Sequence, residues 1–191
     1  MRERLLRALA DLAPEVPLVA ERVAAIALIL LEREGGLEAL LIERAEREGD
    51  PWSGHIALPG GHVDPSDADL SATAERETLE EVGLDLRRSG ERVGRLSQYA
   101  PVRGVPLAVH PFVYLLEAPP VLTLNAEVRR ALWVPLEPLQ LGERRTTYRL
   151  SRAGQHFEFP AWDVDGSVVW GLTYRVLADF LARFSAVSGS K

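Results

Sequence analysis

There is no cysteine in the 191 residues, and Lys191 is the only lysine. The first absence removes disulfide frameworks, thiolate zinc sites, iron–sulfur clusters and cysteine nucleophiles, so any metal must rest on carboxylates, imidazoles or carbonyls. The second removes Schiff-base chemistry and the phosphate-gripping lysine of a P-loop. Positive charge is also scarce in sum: 22 Lys and Arg stand against 28 Asp and Glu, a formal charge of -6. Nucleic-acid and anionic-membrane binders need a basic surface, so neither class of partner is expected. Long apolar runs are missing too. Val23 to Leu31 is the most apolar stretch, and a helix that crosses a bilayer needs about 20 such residues, so this run reads as a buried strand. Met1 to Arg7 is charged with no apolar run directly after it, which predicts no secretory signal and a cytoplasmic location. The remainder is ordinary, 47% hydrophobic and 26% charged. That excludes a disordered or fibrous chain and suffices for a real core.

The pattern along the chain mixes both periodicities. Leu5, Leu6, Leu9 and Leu12 are spaced for a short amphipathic helix over Arg2 to Leu12, stopped by Pro14 and Pro17. Arg22 to Glu32 and Leu37 to Ile42 are apolar runs around Gly35-Gly36 and read as a β-hairpin. Residues 45–56 form a polar loop, followed by Ile56 to Leu58 and the Pro59-Gly60-Gly61 break. Leu70 to Val82 reads as a helix, with Gly83 placed for a left-handed cap. Val93 to Ala100, Leu107 to Leu116, Thr146 to Leu150 and His156 to Phe159 read as strands. A short helical segment is expected near Ala126 to Ala131, and a last helix over Leu172 to Phe184. Strands and helices alternate without strict order and without repeats, which predicts one α+β domain with a mixed sheet.

The densest chemical signal is Ala74-Glu75-Arg76-Glu77-Thr78-Leu79-Glu80-Glu81-Val82-Gly83-Leu84. At about 100° per residue, Glu77, Glu80 and Glu81 fall within roughly a 100° arc, with Ala72, Leu79 and Val82 pointing the opposite way, so the comb should face away from the core. Carboxylates toward the C-terminal end of a helix oppose its dipole. A tight Gly60-Gly61 turn feeds the helix, and glycine lets backbone approach a ligand closely. Spacing alone leaves two readings open, a Mg²⁺ or Mn²⁺ site and a solvated acidic stripe.

These residues resemble a known family. Gly61 through Arg76-Glu77-Thr78-Leu79-Glu80-Glu81-Val82-Gly83-Leu84 looks like the Nudix box, with two departures. Thr78 stands where an apolar residue is usual. The stretch before Arg76 is one residue longer, and Asp67 stands where the box has its first Glu. That longer loop, Pro59 to Ser71 followed by Thr73-Ala74 and Arg76-Glu77, is similar to the variant box of the coenzyme A pyrophosphatase branch. Upstream, Leu40 to Arg44 and Ser53 to Pro59 match that branch loosely, with His55 and Leu58 in place of Gln and Phe. The resemblance covers residues 22–136, with weaker support from Trp170 to Thr173.

The resemblance implies an α/β/α sandwich with a mixed β-sheet flanked by helices. It implies one Nudix domain over 1–191, in which residues 1–20 are a helical arm that could build a homodimer and 59–84 carry the box loop and helix. It implies water attack on the diphosphate of a small nucleotide, with Mg²⁺ or Mn²⁺ as cofactor. Coenzyme A or its thioesters is the first substrate; ADP-ribose, a dinucleotide, or a non-catalytic ligand sensor are the alternatives. By resemblance, Glu77 and Glu81 are metal ligands, Glu80 shares the site, and the Gly60 or Gly61 carbonyl completes it. Arg76 would pin the loop or a carboxylate, or pair with Glu80 one turn on. The general base is a box glutamate or a carboxylate from a distant loop, for which Glu127 is the candidate.

Around that centre, Gly60, Gly61, His62, Arg44 and Trp52 are the candidate substrate contacts. Trp52, Trp162 and Phe157 fall in loop or edge positions where an aromatic ring could stack on a base, with core packing the default for each, while Trp133 and Trp170 look like core. Arg103, Arg144 and Arg145 could meet phosphate or serve as exposed ion pairs. His55, His110 and His156 have no ligand-like spacing.

Overall fold

A computed structural model describes residues 1–10, 20–49, 52–100, 106–152 and 154–187. The expected breaks at Pro14 and Pro17, Arg103, and the end of the first helix at Leu12 lie outside the described residues. The first helix itself, α1 (Arg2–Ala10), is followed by β1 (Arg22–Arg33) and β2 (Gly36–Arg44), the expected hairpin. β1 lies parallel to β6 (Leu107–Leu116) over ten residue pairs, from Arg22↔Leu107 to Leu31↔Leu116. β5 (Gly90–Arg95) closes one side of this sheet against β6, and β7 (Val128–Pro135) closes the other against β2. Two very short strands, β3 (Ile56–Ala57) on β2 and β4 (Gly60–His62) on β1, fill the wedge where β1 and β2 part.

β1 is apolar from Val23 to Leu31 because both faces of that stretch are covered. Ala25, Ala27, Ile29 and Leu31 face α2 (Leu70–Val82), while Leu28 and Leu30 face the layer of α1, α4 (Leu136–Leu141) and α5 (Gly171–Ala186). That second layer also takes in a separate three-stranded sheet of β8 (Arg145–Arg152), β9 (Gln155–Val164) and β10 (Ser167–Trp170). The result is the expected mixed sheet between helices. Leu5, fully buried, and Leu9 seat α1 on β5, and a side chain at Gly94 would come within 2.8 Å of Leu9 Cβ. The N-terminal helix is therefore packed into the core rather than projecting as an arm.

Four expectations need correction. The segment 126–131 is a turn leading into β7, not a helix. Val128, Ala131 and Leu132 match helical spacing by coincidence, and pairing with β2 overrides it. β5 stops at Arg95, and among the described residues up to 100 it is followed by an isolated bridge, Tyr99 to Val109. Trp162 packs in the core as its default reading had it, 4% exposed and 4.2 Å from the Tyr174 ring, but Trp170, expected in the core, is half-buried and stacks on Tyr148 at 3.8 Å. Leu79, expected inward, is 49% exposed. Ala72 and Val82 are buried as expected, but the helix is rotated so that Ala74, Thr78 and Glu81 are buried with them, and the small side chains of Ala74, Ala25 and Ala27 permit this close packing on β1.

Candidate active site

The ends of α2 are set by local chemistry. Asp69 caps the N-terminus by accepting from the Ala72 N–H at 2.8 Å, and Gly83, at φ 69, closes the other end with its N–H on the Leu79 carbonyl. Two further carbonyls at that end are taken by the loop before β7: Thr123 N–H donates to Val82 O at 2.9 Å and Asn125 N–H to Glu81 O at 3.0 Å. An Asn125 side-chain turn onto the Glu127 N–H, 2.8 Å, then fixes the backbone that carries Glu127. The distant-loop carboxylate is thus tied to the helix that carries the box glutamates.

Two box carboxylates lie on two consecutive glycines. Gly60 N–H donates to Glu81 Oε2 at 2.9 Å. Gly60 sits at φ +144 with its α-carbon against β1, where a side chain would meet Ala25 O at 2.3 Å, so only glycine fits. At Gly61 a side chain would fall 2.4 Å from Glu77 Cδ, because the Glu77 carboxylate covers that position. Glu81 is 3% exposed, which corrects the expectation of an outward-facing comb. Burial pushes its carboxyl up to about 7; the Gly60 N–H works against this, the Glu77 charge adds to the rise, and Arg44 opposes it while Glu127 adds a little more. Glu77 is raised as well, chiefly by burial, with Arg76 opposing.

Arg76 organises the loop. Its Nε donates to Asp67 Oδ1 at 2.9 Å and its Nη2 to Asp67 Oδ2 at 3.1 Å and to the His62 carbonyl at 3.0 Å. Its Nη1 donates to Glu77 Oε1 at 3.0 Å and to Glu80 Oε1 at 3.3 Å. Both expected roles of Arg76 are therefore present together. The guanidinium holds Asp67 well below the usual carboxylate range. Asp67, the residue standing where the box usually has its first Glu, is the loop's main anchor; nothing periodic links it to Arg76.

The remaining candidates spread around this centre. Glu80 points outward, its side chain 54% exposed. Glu127 is half-exposed and pairs with Arg47 at 2.9 Å. The His62 ring meets Arg22 Nη2 at 2.7 Å, and Trp52 is 49% exposed, edge-on to His55 at 5.9 Å. Arg144 stands 4.0 Å from Asp165. Among the described residues no group of three or more His, Asp or Glu is already gathered as a cation cage. The structure brings together Glu77 and Glu81, with Glu127 near enough to act on Glu81 through its charge.

The NUDIX domain profile matches residues 20–153. The chain belongs to the NUDIX family. The uncharacterized Nudix hydrolase NudL of Citrobacter koseri is 34% identical over 162 residues, which are 83% of this chain and 81% of that protein. An uncharacterized protein of Schizosaccharomyces pombe is 43% identical over 117 residues, 58% of this chain, and the match spans only 36% of the yeast protein. The crystal structure of the MutT protein of Methanosarcina mazei shares the fold with a TM-score of 0.52, at 24% identity, over 88% of this chain and 96% of that one. Nudix hydrolases act on the pyrophosphate bonds of nucleotide derivatives and generally need a divalent metal such as Mg²⁺ or Mn²⁺. No described helix of this Nudix protein is long and apolar enough to cross a membrane.

Proposed function

We propose that this chain is a Mg²⁺- or Mn²⁺-dependent pyrophosphohydrolase of nucleoside diphosphate derivatives, acting on coenzyme A or its thioesters to give 3′,5′-ADP and phosphopantetheine. The observation that carries the reading is the pair Glu77 and Glu81 on consecutive glycines, both with raised proton affinity. Two hard-oxygen anions, one of them buried, beside a backbone cleared of side chains suit a small hard cation. Glu77 and Glu81 would hold it, with Glu80 and the Gly61 carbonyl as further ligands. Bound there, it supplies the positive charge that phosphate oxygens need in a protein of formal charge -6.

The chain's own groups do the rest. Glu127 takes the proton of the attacking water as its oxygen joins one phosphorus and the bridging P–O bond breaks. Arg76 holds Glu77 and the 62–67 loop in place rather than touching substrate. Gly60, Gly61, His62, Arg44 and Trp52 border the substrate. The coenzyme A preference rests on the long loop from Pro59 to Ser71. The whole chain acts as one domain in the cytoplasm, alone or as a homodimer.

Incubating the protein with each metal and a panel of diphosphates tests this. Release of 3′,5′-ADP and phosphopantetheine from coenzyme A is the expected result. Preferential turnover of ADP-ribose or a dinucleotide would move the substrate, and tight ligand binding without cleavage of any diphosphate would make this a non-catalytic sensor.

A further inference from the structure

β7 does not pair evenly with β2. The register runs Glu43↔Arg130 and then Arg44↔Val128, so Arg129 is an inserted residue, a β-bulge. Successive residues of a regular strand point to opposite faces. The bulge instead turns Arg129 so that it joins Arg130 on one carboxylate. Arg129 Nη1 donates to Glu43 Oε1 at 2.8 Å and Arg130 Nε to Glu43 Oε2, while Arg130 Nη2 reaches Ser167 Oγ. Glu43 is buried, 7% exposed, and a buried carboxylate needs a counter-charge. Arg130, directly across from it in the register, already supplies one. Arg129 is the second, so one buried carboxylate carries two guanidinium partners.

Arg129 is also the open one of the pair. Its side chain is 64% exposed, and the bond to Glu43 engages one of its five N–H groups. A depression of about 400 Å³, lined by Ala45, Glu46, Ala126, Val128 and Arg129, opens beside it. Its wall contains the 126–128 segment that carries Glu127. Only Val128 separates Arg129 from Glu127, so their backbones lie at most roughly 7 Å apart, a distance suited to two groups of one nucleotide.

We propose that Arg129, oriented by Glu43 and backed by Arg130, binds a second phosphate of the nucleotide substrate, a phosphomonoester remote from the scissile diphosphate. This rests on the pyrophosphohydrolase reading for where the diphosphate lies. A guanidinium fixed along one edge presents its other N–H groups as a fork, which matches the oxygens of a dianionic phosphate.

The test is calorimetric titration of the full chain, with Mg²⁺ present, by AMP and by adenosine bisphosphates that carry the extra phosphate at the 3′ or the 2′ position. The wild type should bind one of the bisphosphates about ten-fold more tightly than AMP, the size of one charge-assisted hydrogen bond. Arg129→Ala should bring that ratio to about one, and Arg129→Lys, which keeps charge without the fork, should retain part of it. Arg149→Ala, which removes an equal charge from the exposed Arg149–Glu158 pair, should keep the full ratio. No binding of any of the three nucleotides, equal affinities in the wild type, a ratio untouched by Arg129→Ala, or one abolished by Arg149→Ala would overturn the proposal. None of these ligands contains a bond for the enzyme to cleave. A bisphosphate preference in a protein that turns over no diphosphate would therefore refute the catalytic reading and leave the phosphate site standing.

Discussion

Replacing Glu81 with Gln should make the metal-free protein more stable at neutral and alkaline pH while removing most of its activity. Glu81 is 3% exposed, and its carboxyl is pushed up to about 7 from an ordinary value of 4.5, first by burial and then by the Glu77 charge. A carboxyl whose proton affinity is higher in the folded chain favours folding while it is protonated in both states, below about 4.5. That contribution is lost as pH rises to about 7, because unfolding then releases a proton the folded protein must keep or a charge it must bury. At ~1.4 kcal/mol per pH unit the interval corresponds to roughly 3 kcal/mol at pH above 7. Gln keeps an oxygen for the Gly60 N–H but adds an NH₂ that needs a partner, at a cost of about 1–2 kcal/mol. The net gain should be about 1–2 kcal/mol, a rise in Tm of a few degrees for a chain of this size. Thermal melts in chelator across the pH range, wild type against Glu81→Gln, measure it. The difference should shrink or reverse below about pH 4.5, where Glu81 is neutral in both states. Adding Mg²⁺ or Mn²⁺ should raise the Tm of the wild type and not that of the variant. If Glu81→Gln lowers Tm equally at all pH, the burial argument is wrong; if the variant keeps wild-type kcat, the metal assignment is wrong.

Two further substitutions probe the loop and the glycines. Arg76→Ala should destabilise by about 1.5–3 kcal/mol, since the Asp67 carboxylate loses its main partner. Because Arg76 holds Asp67 below its usual range, the wild type sheds that stability as pH falls below about 4, so the acid limb of the variant's pH–stability curve should be flatter; parallel curves would refute the assignment. Gly61→Ala places a methyl 2.4 Å from Glu77 Cδ, which the end of a flexible side chain can escape, so Tm should hardly move. The same displacement takes a proposed ligand off its position, and kcat should fall about a hundred-fold; an unchanged kcat would mean that the Glu77 carboxylate is not used where it lies.

What could be read before folding were the features with local causes. The β1–β2 hairpin follows from two apolar runs around Gly35-Gly36, and α2 begins and ends where Asp69 and Gly83 cap it. Features made by distant partners escaped. β4 is built on two glycines, residues that disfavour strands, and exists because the edge of β1 needs pairing there. β7 carried a helix-like spacing, and the bulge at Arg129 has no sequence mark at all.

The error on α2 differs in kind, because the local evidence there was abundant and pointed the wrong way. Hydrophobic periodicity assigns leucine inward and glutamate outward, yet Leu79 is 49% exposed and Glu81 is buried. A helix free to minimise its own burial cost would roll to exchange them. It is held against that roll by the Gly60 N–H on Glu81, by Thr78, fully buried with its hydroxyl donating to Ala74 O at 2.7 Å, and by the Thr123 and Asn125 N–H groups on its last carbonyls. Thr78, a departure from the family pattern, is therefore compatible with burial because the helix itself satisfies its hydroxyl. A sequence that keeps a carboxylate inside and a leucine outside, and spends several backbone hydrogen bonds to do so, is selecting for the position of the carboxylate over stability.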